Sequence, residues 1–407
     1  MELKQITPYC WEIPRTGDML VPGRVFADRE FVERAEQEKA LDQVRNVACL
    51  PGIVKASLAM PDIHWGYGFA IGGVAAFRTD DGVISPGGVG YDIACGVRLV
   101  RSNLLVSEVR STVPDLVHEL SRSIPAGVGR RGDIRLNHKE MDQLMTRGVP
   151  WAVESGYGIP EDVQAVEDGG SLEGADPALI SDRARERGFA QSGTLGAGNH
   201  FIEVQEVEEI YDEAAAGAFG IFKGQLCLMV HSGSRGLGHQ VCTEYVKVMG
   251  GAAARAGISL PDRQLACAPV RSPEGQDYYA TMACAVNFAR TNRQVMTHLV
   301  RQSFEFIFKA SAEKLGLDLV YDVSHNVAKF EEHEVGGERM RLCVHRKGAT
   351  RSFPAGHPDV PEKYRSVGQP VIVPGDMGTA SYLLKGTDTA MTESFGSTCH
   401  GAGRVMG

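Results

Sequence analysis

The sequence lacks most of the short signatures that fix a function on their own. It has no CxxC pair and no HExxH, so no compact motif sets the geometry of a metal site. It has no GxxxxGK[ST] loop and no dinucleotide-binding glycine fingerprint, which removes two common phosphate-cradling designs. No apolar run reaches the roughly 18 residues a membrane helix needs, and no N-terminal stretch has a secretory-signal pattern. No period of roughly 20 to 50 residues recurs, which excludes repeat architectures. Nine cysteines, an odd number without close pairs, are expected as free thiols in a reducing cytoplasm. An excess of positive charge is missing too: the formal net charge is -9. That argues against a surface wrapping long nucleic acid, while leaving room for a local basic pocket that grips an end.

What the chain does have is glycine, 48 residues in 407, well above the roughly 7% average. These glycines interrupt apolar, strand-like runs and do not form a linker, as expected of a chain with many tight turns and close backbone approaches. Residues 27–46 predict a surface helix with interleaved charges, and residues 107–122 a second helix. Residues 53–77 and 82–100 read as strands and loops of a buried centre, with further strands at 200–207, 225–230 and 317–326. Ser272-Pro273 is a good helix start, and the apolar spacing Tyr279, Met282, Val286, Ala289 continues it toward Gly316. Residues 126–190 are Gly-rich, charged and weakly periodic, and are expected as a peripheral insertion of helices and loops. No clean linker divides the chain, so the expectation is one mixed α and β domain.

Four candidate soft or borderline ligands share one context, a strand-like run ending in a polar residue beside glycine or asparagine. They are Cys95 in GYDIACG, His200 in LGAGNHFIEV, His231 in LMVHSGSRG and His325 in YDVSHN; Asp92 lies three residues before Cys95. Thiolate and imidazole bind divalent transition metals, and a carboxylate adds a hard ligand. A thiolate can also bridge two cations, an arrangement suited to phosphoryl chemistry. Taken singly, each histidine is equally at home as a hydrogen-bonded core residue, and Cys95 as a small buried apolar one.

Glycine-rich loops at 192–200, 231–238, 374–378 and 400–403 could offer backbone N–H nests to phosphate oxygens, or simply serve tight turns. Arg235 and Lys347 are candidate phosphate charges. His400, between Cys399 and Gly-Ala-Gly, is a candidate nucleophile: a neutral imidazole attacks phosphorus and the phosphoramidate formed is a high-energy carrier.

In order along the chain, MPDIHWGYGFAIGG, GVGYDIACGV, LGAGNHFIE, HSGSRGLG, SHN, RKGA, PGDMG and CHGAGRVM resemble the RtcB family of 3′-phosphate/5′-hydroxyl RNA ligases. The resemblance runs from about residue 50 to 406 and implies an α+β single domain with mixed sheets around a central metal cleft. It implies two manganese ions bridged by Cys95, with Asp92 and His200 on one and His231 and His325 on the other. Ligand softness alone would favour zinc, so manganese rests on the resemblance. By the same similarity guanylate binding falls to Asn199, His200, Phe201, Ile202, Glu203, His325, Asn326, Pro374, Gly375, Asp376, Met377, Ser381, His400, Gly401, Ala402 and Gly403. The implied reaction uses GTP as cosubstrate and a covalent guanylate on His400. It joins RNA ends carrying a 2′,3′-cyclic phosphate or 3′-phosphate to 5′-hydroxyl ends, in tRNA splicing and RNA repair. Archease is an implied partner. Family chains continue past HGAGRVM toward a terminal lysine near the guanine site, whereas this sequence stops at Gly407. Two other functions compete: a metal-dependent phosphoesterase, and a ligase-inactive fragment that binds RNA ends or GMP.

Overall fold

In the computed structural model, residues 2–132, 134–376 and 378–402 are described; the guanylate contacts expected at Met377 and Gly403 lie outside them. The organising element is the 36-residue helix Pro273–Phe308. It begins where serine and proline predict, with the Ser272 hydroxyl accepting from the Gly275 N–H, and ends at Lys309 in the left-handed region. It is buried through most of its length, yet carries Asn287, Arg290, Asn292, Arg293, Gln294 and Arg301 into the interior. Such groups are tolerated inside only when partnered. Here their partners are loops and strand ends, so this helix acts as an internal frame that holds backbone in place.

Two sheets flank that frame. A seven-stranded mixed sheet has Ser57–His64, Ile71–Arg78, Glu338–Lys347 and Asn326–Val335 at one end of its order. A four-stranded antiparallel sheet runs in the order Leu319–Ser324, Gly96–Leu105, Gln225–Ser232, Phe201–Glu206. Its inner strands are buried over most of their length because both faces are covered. A short ladder pairs Ala349–Arg351 with Ser397–Cys399 and brings the C-terminal segment back to the centre.

Three expectations are corrected. The helix expected over 27–46 is two helices, Arg29–Gln37 and Ala40–Val47, broken where Lys39 takes φ 61°. Residues 126–190 are not peripheral: Met141, Leu144, Met145, Trp151 and Ile180 enter the largest core cluster. Asp162 from the same segment is buried against Arg301 at 2.6 and 2.7 Å. Most charges of this segment are exposed, as a surface insertion would have them, but Asp162 and Glu167 are spent on buried ion pairs. Finally, Lys347 is no phosphate charge. Its ammonium is buried and donates to the carbonyls of Tyr67, Phe69 and Gly87, and burial lowers its pKa to about 7.

Candidate metal centre

The four-stranded sheet explains how donors far apart in sequence meet. In an antiparallel sheet, the start of one strand lies beside the end of its neighbour. Cys95 immediately precedes Gly96–Leu105 and His200 precedes Phe201–Glu206, whereas His231 closes Gln225–Ser232 and His325 follows Leu319–Ser324. The register pairs Gly96 with both Ser232 and Ser324, and Phe201 with His231. All four side chains therefore belong to one end of one sheet. The sequence pattern suggested residues at the ends of strands; two of the four stand at beginnings.

The donor atoms form two groups of three that share one sulfur. Cys95, His231 and His325 make one, Asp92, Cys95 and His200 the other, with donor atoms within 4.8 Å of one another in each. Cys95 Sγ lies 3.2 Å from His231 Nε2 and 3.5 Å from His200 Nε2. His231 Nε2 and His325 Nε2 are 3.2 Å apart, and His200 Nε2 is 2.8 Å from Asp92 Oδ2.

The electrostatics suit cations. Burial, reinforced by the neighbouring imidazoles, holds His231 and His325 well below the usual histidine pKa, so both rings are neutral with lone pairs available. Burial and the Asp92 charge push the Cys95 thiol well above its usual value, so only a cation would draw the proton off. Burial alone would raise the Asp92 carboxyl, but His200 and the surrounding hydrogen bonds bring it down to about 2. Two neutral imidazole nitrogens facing each other at 3.2 Å, beside a thiol, are poorly satisfied by hydrogen bonds and well satisfied by a divalent ion. The residues fit a two-cation site.

The supporting shell is equally specific. His200 Nδ1 lies 3.0 Å from the Leu195 carbonyl, which fixes the proton there and leaves Nε2 as the donor atom. Arg235 Nη1 approaches the same Nδ1 at 3.4 Å, and burial lowers its pKa. Asp92 Oδ1 accepts from the Ser234 N–H at 3.1 Å. A Cβ at Gly233 would come within 2.3 Å of that carboxylate, so only glycine leaves room for it. From the buried helix, Arg293 donates to the carbonyls of Ala94 and Ser232, both at 2.8 Å, while Asp322 holds its guanidinium at 2.7 and 2.8 Å. Those carbonyls flank Cys95 and His231. Asn292 ties down Gly193, Thr194 and Gly233 in the same way.

His400 lies beside this cluster, its ring centroid 4.9 Å from that of His325. Its Nδ1 is 2.5 Å from Asp62 Oδ2, an oxygen that also accepts the N–H groups of His400 and Gly401 at 2.9 and 3.2 Å. With Nδ1 engaged, Nε2 is the ring atom left for chemistry. Asp62 was not singled out in the sequence; its signal was a lone carboxylate inside the apolar run AMPDIH. Asn326 bridges the regions, donating to the Asp92 carbonyl at 3.0 Å and accepting the Gly348 N–H at 2.8 Å. A Cβ on Gly348 would stand 3.1 Å from His400 Cε1.

The remaining sequence candidates divide between two places. Phe201 is buried with its ring 5.2 Å from that of His231, and Asn199 is exposed on the loop before His200. Gly401 lies against Pro374, whose carbonyl accepts the Ala402 N–H at 2.9 Å. Gly375 donates to Ser381 Oγ at 3.0 Å, and Gln205 bridges Ser381 and Glu203 at 3.1 and 3.0 Å. Glu203, Asp376 and Ser381 line a cleft of about 1140 Å³, together with Gln205, Tyr211 and Tyr382. Ile202, whose neighbour Phe201 faces His231, packs partly buried against the core instead.

A sequence model of the family described as tRNA-splicing ligase RtcB matches residues 43–407. The tRNA-splicing ligase RtcB of Thermococcus kodakarensis is 54% identical over 405 residues, 99% of this chain and 84% of that relative. Its counterpart in Archaeoglobus fulgidus is 54% identical over 406 residues, with the same coverages. The RNA-splicing ligase RtcB of Mycobacterium bovis is 54% identical over 367 residues, 89% of this chain and 83% of that relative.

Proposed function

The chain belongs to the RtcB family of tRNA-splicing ligases and is an RNA ligase, and from that premise we propose that it works through a guanylate carried on His400. The observation that carries this reading is the Asp62–His400 pair beside a two-cation donor set. Asp62 accepts the Nδ1 proton, aims Nε2 outward, and balances the positive charge that appears on the ring when Nε2 bonds to phosphorus. Nε2 attacks the α-phosphorus of GTP and pyrophosphate leaves. The guanylate then passes to an RNA 3′-phosphate, which water first generates when the end is a 2′,3′-cyclic phosphate. The RNA 5′-hydroxyl attacks the activated end and GMP departs, leaving a phosphodiester. Cations held by Asp92, Cys95, His200, His231 and His325, manganese by the family likeness, would stabilise charge on the phosphoryl oxygens.

The acidic lining of the large cleft fits a base better than a phosphate. Glu203 and Asp376 offer acceptors to the N–H edge of guanine beside Ser381, and Pro374, Gly375, Asn326, Gly401 and Ala402 would frame the path toward His400. Asn199, Phe201 and Ile202 would complete that frame. RNA ends are the substrate, the cytoplasm the expected compartment, and archease the accessory protein the family likeness implies. Among the described residues no helix is long and apolar enough to cross a membrane.

Incubation with GTP labelled at the α-phosphate and Mn²⁺ should give an acid-labile label on the protein, absent in His400→Ala. A chain with metal bound that takes up no label would rule out the guanylate route. RNA 3′-ends trimmed but not joined would favour the phosphoesterase.

A further inference from the structure

The loop Trp65–Ala70 joins two strands of the seven-stranded sheet and is held with unusual firmness. Gln43, a buried side chain, grips both backbone groups of Gly66, donating to its carbonyl at 2.5 Å and accepting its N–H at 3.0 Å. Gln264 accepts the Gly68 N–H at 2.9 Å. The buried Lys347 ammonium binds the carbonyls of Tyr67 and Phe69. Two amides and a desolvated cation thus fix a loop whose own Trp65 is 49% exposed.

The loop also starts a row of rings. Tyr67 meets Tyr91 edge-on at 5.3 Å, and Tyr91 meets His239 at 5.0 Å with the planes 35° apart. Tyr91 directly precedes the donor Asp92. His239 is exposed and stands one helical turn beyond Arg235, the residue against His200. The row therefore leads outward from the metal centre.

Positive charge lies along the same rim. The backbone of Arg187 abuts Gly236, and the loop carrying Arg130 and Arg131 is bonded to the 190–196 segment through Gly127 and Gly132 at 2.7 and 2.8 Å. Arg130, Arg131 and Arg187 are exposed and form no ion pair with a described residue, although Arg187 Nη1 donates to the Gln240 amide oxygen at 2.9 Å. In a chain of net charge -9, arginines left without carboxylates mark a place for an anionic backbone.

We propose that Tyr67, Tyr91, His239 and Trp65 form a preset stacking platform for unpaired nucleobases of the RNA ends, with Arg187, Arg130 and Arg131 along the backbone. This rests on the RNA-ligase reading. Aromatic faces accept any base, so the platform recognises single-strandedness and not sequence. Rigidity matters because a loop already ordered costs no entropy on binding.

The test uses the full chain without GTP and short RNA oligonucleotides carrying 2-aminopurine at a 3′-phosphate end or at a 5′-hydroxyl end. Binding to at least one should quench 2-aminopurine, and an abasic terminal nucleotide should weaken it roughly tenfold. Trp65→Ala and His239→Ala should lose the quench and weaken intact RNA by a similar factor, with little further loss on abasic RNA; His239→Phe should restore both. Both substituted side chains are solvent-exposed, and labelling by GTP should be unchanged in the variants. Equal binding of intact and abasic RNA at both ends, or variants that bind as wild type, would overturn the platform. Failure of labelling with base-dependent binding intact would instead count against the guanylate cycle alone.

Discussion

The two halves of the site are built on different plans. The metal donors stand at one end of a four-stranded sheet, referenced to each other by ladder hydrogen bonds and by Arg293 and Asn292 from the buried helix. His400 arrives on a short C-terminal ladder and is aimed by one carboxylate oxygen of Asp62. The donor set is held redundantly, whereas the ring of the nucleophile is oriented by one hydrogen bond, to Asp62. Redundancy suits groups that must hold position against cation charge. A single carboxylate suits a ring that must change partner and charge during turnover.

The hardest blow to this contrast is Cys95→Ala. It removes the sulfur both groups share, so elemental analysis should show both cations lost and ligation abolished, whereas His400→Ala should keep full stoichiometry. One cation retained tightly in Cys95→Ala would mean the groups are independent. Next in size is Asp62→Asn, which leaves the shape and removes the charge. Adduct formation should slow by about 10²- to 10⁴-fold with metal content unchanged. An unaffected rate would show that His400 is positioned by something else.

Arg293→Lys sharpens the other side. A lysine cannot hold Asp322 and two carbonyls at once, so metal affinity should fall by roughly 10- to 100-fold in a competition titration, leaving Asp62–His400 intact. The smallest effect is on stability. The folded pKa values of His231 and His325 lie below the unfolded 6.5, so the metal-free fold disfavours protons that the unfolded chain accepts. Stability is full above 6.5 and declines as pH falls below it. Asp92 adds a further loss between its unfolded 3.8 and about 2. Thermal melts of metal-free protein should drop by several degrees between pH 7 and 5. The cation-loaded protein should hold until ligand protonation competes with binding.

The donors stood out singly because each is a polar residue set against an apolar run and a glycine or asparagine, but as a ligand set they followed only from the family resemblance. Residue pattern alone could not bring them together, since their convergence depends on strand order. Asp62 was hidden because a carboxylate inside a strand-like run resembles any residue of a half-buried strand. Arg293 was hidden because arginine on a helix reads as solvent-facing, and only the fold reveals that this helix is interior. The same bias put residues 126–190 at the surface, although Asp162 and Glu167 are among the most buried carboxylates. Lys347 was misread for the opposite reason: a lysine beside glycine suggests phosphate, but here backbone carbonyls already claim it.

The side chain of Asn326 spans these two plans. Its amide fastens the carbonyl of the Asp92 turn on one side and, on the other, the N–H of Gly348, where an added Cβ would meet the His400 ring. The distance from donor loop to nucleophile is thereby gauged across one planar group instead of around the long chain between them. A movement of the Asp92 turn on taking up charge would reach His400 as a displacement. The covalent step would then sense whether its cations are in place before any nucleotide is spent.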